Sequence, residues 1–163
     1  MCLSSGTDAP LNGLIVYRLV DAEHDEIEVG KRLIRISDHS NQKYGPAMYF
    51  TLTREDGLKF AKAQQAKREH GHKYTHLLTC RIENASLGEF VDLRATPNIM
   101  VSGRFRNMRT AERAAAFCGE NGQRGVIWQS HASLNSPEWT ELCLYPEHVG
   151  NNVLIVASEA VGS

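Results

Sequence analysis

Apolar residues along the chain fall into short runs of strand character, separated by polar stretches rich in turn formers. Leu14–Val20 is β-branched and aromatic with one charge in it, the signature of a strand. So continuous a run belongs in the middle of a sheet. Arg18 therefore sits at the strand's end or points into a cleft, because arginine is seldom fully buried without a partner. Ala47–Leu52 is a second strand. Thr53 then caps a helix with Glu55 and Asp56 in its first turn, and Leu58, Phe60, Ala61 and Ala63 give it an apolar face to about Glu69. Strands are expected at Tyr74–Ile82 and Glu89–Leu93. Thr110 caps a second helix, with Ala111, Ala114, Ala115 and Cys118 at helical spacing and Gly119 and Gly122 as its stop. Two strands in a hairpin-like arrangement follow, at 125–130 and 141–145, and a last one at Asn152–Ala157. Residues 21–46 hold acids, glycines and a proline, and read as loop with one short helix or strand. Strands outnumber helices, so the fold class is α+β: a split or curled, mostly antiparallel sheet with two flanking helices. Residues 1–13 are a loose lead-in, 14–157 a single domain, and 158–163 a tail expected to fray.

Composition narrows the function classes. The 163 residues suit one domain with a sizeable core, and 42% apolar with 23% charged content is ordinary for a soluble globule. Apolar runs are too short to span a bilayer, and the first ten residues lack the features of a secretory leader. A cytoplasmic protein is expected, with delivery into another cell by other signals left open. A formal charge of −1 argues against bulk electrostatic binding of nucleic acid. The charge is nevertheless uneven. Asp21, Glu23, Asp25, Glu26 and Glu28 form an acidic run that reads as a solvated face. Arg104, Arg106, Arg109 and Arg113 form a basic run that is solvated or holds phosphates or a partner.

Several chemistries drop out. Cys2, Cys80, Cys118 and Cys143 are far apart with no paired spacing, so neither a disulfide framework nor a zinc knuckle is expected. His70, His72 and His76 run from a helix end into a strand and read as solvated loop, so no metal is assigned. Glycine-rich phosphate loops are absent. A nucleophile elbow is absent too, which makes Ser130 a poor hydrolase nucleophile, and Cys143 lies mid-strand among apolar residues.

Three distant segments remain. Arg18 comes from the first strand, Tyr49 and Thr51 from the second, and Ser130 and Glu141 from the closing pair. Together they offer a planar cation, an aromatic surface, hydroxyls and a carboxylate, which suits a dinucleotide such as NAD. An arginine forks onto a diphosphate, a ring stacks on nicotinamide, and a carboxylate stabilises the oxocarbenium-like sugar left when the glycosidic bond breaks. The competing account makes Arg18 and Glu141 a structural pair and Tyr49 a core residue.

The segments Val16-Tyr17-Arg18, Tyr44–Ala61, Arg124–Ser133 and Glu141–Val149 resemble, in order, the ADP-ribosyltransferase-like superfamily. The second is similar to a segment of small rifampin-modifying ADP-ribosyltransferases, and the others to RES-domain toxins. The resemblance implies a split-sheet fold and an NAD-consuming mono-ADP-ribosyltransferase, with NAD as substrate and a protein or nucleic-acid acceptor. It implies a bacterial toxin or effector, with an antitoxin or immunity partner; a RES-type NAD glycohydrolase or phosphorylase, or a non-catalytic binding module, is the alternative. Arg18 matches the arginine that holds NAD, Tyr49 the aromatic beside nicotinamide, Ser130 the RES serine, and Glu141 the glutamate opening a late strand. Two departures bear on the catalytic acid. Where RES proteins place a glutamate on the helix, this chain reads Gly57–Lys62, and the late strand reads Glu138-Trp139-Thr140-Glu141, which leaves the acid open between Glu138 and Glu141.

Overall fold

In a computed structural model the described residues are 13–36, 44–65, 74–94, 110–131 and 138–161. They form strands β1 (Gly13–Val20), β2 (Met48–Thr51), β3 (His76–Glu83), β4 (Phe90–Asp92), β5 (Gly125–His131), β6 (Glu138–Leu144) and β7 (Val153–Ala160). Helix α1 (Arg54–Gln65) follows β2, and α2 (Thr110–Glu120) precedes β5. The fold is α+β, with one seven-stranded sheet in the order β4-β5-β6-β2-β1-β3-β7. Every pairing is antiparallel except β4 with β5.

The expected split is visible in the registers. β1 runs beside β3 along its whole length, from Gly13↔Glu83 to Val20↔His76, and β2 runs beside β6 from Met48↔Leu144 to Thr51↔Glu141. Between these two halves a single register pair, Tyr17↔Thr51, joins β1 to β2. The sheet is continuous there, but it has a seam.

Strand alternation sorts the apolar residues onto two faces. One face carries Val16, Val20, Phe50, Leu78, Ile127 and Leu142, together with Phe90 from one end of the sheet and Ile155 from the other. Residues from both ends share one cluster, so the sheet curls around it. The opposite face is covered by the two helices. Ala61 of α1 packs on Leu19 and Leu77, while Ala114 and Cys118 of α2 pack with Val126, Trp128 and Cys143.

Helix α1 starts as its residues dictate: the Thr53 hydroxyl accepts the Asp56 N–H at 3.0 Å, closing the first turn. α2 runs past Gly119 to Glu120, and Gly122, with φ of 64°, supplies the left-handed residue that ends it. β7 continues to Ala160, beyond the expected end at Ala157. Its last residues find partners the local sequence does not advertise, His76 and Leu77 on β3, and the Arg54–Glu159 ion pair fastens them to α1.

Three cysteines, Cys80, Cys118 and Cys143, are buried as free thiols, and burial pushes the Cys80 and Cys118 thiols up to about 12. Cys2, His70 and His72 lie outside the described residues, as do Arg104, Arg106 and Arg109. Among the described residues, no helix is long and apolar enough to cross a membrane.

Candidate functional site

Arg18 lies at the seam. Val16 and Val20 on either side of it face the curled core, and alternation places Arg18 with them, opposite Leu78. The side chain is half-buried, and its Nη1 donates to the Tyr49 carbonyl at 2.7 Å. It thus bridges β1 and β2 beyond their one register pair. Burial lowers its pKa, while the charge of Asp25 acts in the opposite direction. Among the described residues this guanidinium makes that one hydrogen bond and no ion pair. Among the described residues the remaining donors of its fork carry no other hydrogen bond.

Tyr49 projects from the other face of β2, where its ring meets Trp128 edge-on at 5.8 Å. Its hydroxyl is engaged: it donates to the Gly45 carbonyl at 2.6 Å and accepts the Tyr44 N–H at 3.0 Å. The ring is therefore fixed by the loop ahead of β2. Thr51 is 3% exposed, and its hydroxyl donates to the Thr53 carbonyl at 3.4 Å, at the entry to α1. The backbone of Ser130 pairs with Trp139 in the β5–β6 hairpin, and its side chain lies outside the described residues.

Glu141 is set between Thr51 on β2 and Trp128 on β5. It shares a face with Cys143 and Trp139, whereas Leu142 points into the curled core. Arg18 and Glu141 thus leave their strands on opposite faces of the sheet. Tyr74 stands just ahead of β3. Burial raises its phenol pKa, Arg18 counteracts that rise, and Glu141 adds to it. Both charges thus act on that one hydroxyl, from opposite faces of the sheet. The carboxylate also pushes up Tyr44 and Tyr49, whose rise is due first to burial. Glu138, the alternative acid, alternates to the other face of β6 and accepts the Gln129 side-chain amide at 3.0 Å.

Three side chains beside Glu141 were not among the site residues expected from the sequence. The Trp139 indole N–H donates to Glu141 Oε2 at 3.0 Å. Phe60 of α1 stacks on Trp139, with centroids 5.5 Å apart and planes at 27°, and Tyr74 packs against Phe60 at 6.0 Å. Trp139 was within reach of pattern reasoning, since it stands two residues before Glu141 on a strand and so shares its face. Phe60 and Tyr74 come from distant elements and carried no such signal.

Asp21, Glu23 and His24 bring possible ligand atoms within 4.8 Å of one another on a turn. Asp21 Oδ1 there accepts the Glu23 N–H at 3.0 Å, a bond that shapes the turn itself.

No family model and no curated protein sequence matches the chain. Among solved structures the fold is similar to that of a chain in the crystal structure of the M. tuberculosis MbcT–MbcA toxin–antitoxin complex. The identity is 13%, the match covers 91% of this chain and 84% of that one, and the TM-score is 0.50. At that identity the likeness is one of fold.

Proposed function

We propose that the chain is an NAD-consuming enzyme that transfers ADP-ribose to a macromolecular acceptor, a protein or a nucleic acid. The observation that carries this reading is Arg18: a half-buried guanidinium at the seam, held by one hydrogen bond to the Tyr49 carbonyl and without an ion pair among the described residues. A desolvated guanidinium with its donors in a planar fork suits an anion with several oxygens, and the diphosphate of a dinucleotide is such an anion. Tyr49 offers a fixed ring for the nicotinamide end, and Ser130 a hydroxyl at the hairpin. Glu141 supplies the negative charge that favours the ribosyl cation as the bond to nicotinamide breaks.

The fold likeness to a chain of a toxin–antitoxin complex supports a toxin role, with an antitoxin or immunity protein as partner. It equally favours a second reading, an NAD glycohydrolase or phosphorylase toxin of the RES type. Products separate the two. Incubation of the purified chain with labelled NAD and a cell lysate is expected to label a macromolecule. Free ADP-ribose or its phosphate, without a labelled macromolecule, would establish the second reading. Label that stays in intact NAD would leave a binding module.

Glu141→Gln is expected to lower turnover by about a hundredfold or more while NAD affinity stays near that of the wild type. Arg18→Lys keeps the charge but loses the fork, and is expected to weaken NAD binding about tenfold in calorimetric titration. Unchanged turnover in the first variant would remove Glu141 as the acid. Unchanged affinity in the second would remove Arg18 as the diphosphate anchor.

A further inference from the structure

We propose that Trp139 is the positioning residue of the catalytic acid: its indole N–H holds the Glu141 carboxylate, and Phe60 of α1 holds the indole. The proposal rests on the assignment of Glu141 above and adds what sets that group's orientation. Residues 139 and 141 share one face of β6, and the donor–acceptor distance is 3.0 Å. An indole nitrogen can only donate, so this bond is made best to a charged carboxylate and favours that form. Trp139 is 5% exposed and stacked on Phe60, so the donor cannot swing to water.

The backbone between the two residues is held as well. The Thr140 N–H donates to Asp56 Oδ2 of α1 at 3.1 Å, and the Thr140 carbonyl accepts the Leu52 N–H at 3.2 Å. Helix α1 thus grips the acid's strand twice, through Asp56 on the backbone and through Phe60 on the indole. A carboxylate preorganised in this way faces a developing positive charge without first reorienting. The titratable groups that feel its charge are Tyr44, Tyr49, Tyr74 and Cys143, and Asp56 of α1 reaches the adjoining Thr140 N–H. Among these, the tyrosines and Cys143 are pushed upward and stay neutral across the acidic range.

The test is Trp139→Phe, which keeps a ring against Phe60 and deletes the donor. kcat is expected to fall about tenfold with KM for NAD held within about twofold. The acid limb of the kcat/KM profile is expected to move to higher pH, because the carboxylate has lost a donor that favoured its charged form. A readout independent of that variant's folding is the indole N–H resonance, which is simple to follow because the chain has two tryptophans. The Trp139 signal is expected to move with acidic pH in the wild type and to lose that movement in Glu141→Gln. A fall in kcat with an unmoved acid limb, or an indole signal indifferent to Glu141, would reduce Trp139 to a packing residue and overturn the proposal. Full turnover by Glu141→Gln would instead fail one step earlier, at the assignment of the acid.

Discussion

Tyr49 combines two tasks in one side chain. Its ring faces Trp128, and its hydroxyl fastens the Tyr44–Gly45 turn through one donated and one accepted bond. Gly45 has φ of 92°, a conformation open to glycine, and that turn presents its carbonyl to the phenol. Tyr49→Phe removes the pin and leaves the Tyr44 N–H without its acceptor. It is expected to cost about 1–3 kcal/mol in urea unfolding, and a stability equal to that of the wild type would show the pin to be idle. That Tyr49 sits on a strand was readable from its place in an apolar run after Gly45 and Pro46. That its hydroxyl is already committed was not, because both partners are main-chain atoms of a turn and leave no trace in side-chain pattern. Arg18 is the converse case. A lone charge in a β-branched run announces a special position, and the structure places it where two strands part company.

The elements divide along the same line. β1, β2, β5 and β6 were legible because β-branched and aromatic residues concentrate there between turn formers, and α1 because Thr53 with Glu55 and Asp56 writes a helix start. Apart from the β5–β6 hairpin, the partners were not legible. Nothing local tells β4 to lie parallel to β5, or β7 to reach Ala160 along β3. One glycine does state its own reason in the structure. A Cβ on Gly125 would lie 1.7 Å from the Cys143 carbonyl oxygen, a main-chain atom of β6 that cannot step aside without breaking the hairpin. Gly125→Ala is expected to destabilise by about 3 kcal/mol or more, through a failed β5–β6 register more than through lost burial. A cooperative urea transition at the wild-type midpoint would contradict that.

At the scale of the whole molecule, ionisable groups buried on both faces of the sheet set its alkaline limit. Cys80 and Cys118 are pushed up to about 12 by burial, and Cys143, Tyr44, Tyr49 and Tyr145 are raised as well. In each the folded state keeps the proton longer than the unfolded chain does. Their stabilisation is therefore intact below the ordinary thiol range and is lost as pH climbs from there toward the folded-state values. Between about pH 8 and about pH 10.5 each of the two thiols is expected to withdraw on the order of 2 kcal/mol. Unfolding in urea at those two pH values measures the difference, and a flat profile would mean that these thiols are not sealed from solvent.

The seam at Tyr17↔Thr51 has a consequence for when the sheet can close. β2 depends on β6 for nearly all of its backbone partners, and β3 depends on β7 for its second neighbour, so neither half of the sheet closes until residues beyond 138 are available. During translation the early strands must wait for late ones, and such distant pairing is slow to form. A nascent chain would carry Arg18 long before it carried Glu141, and so would pass through most of its synthesis with the two halves of the sheet unjoined.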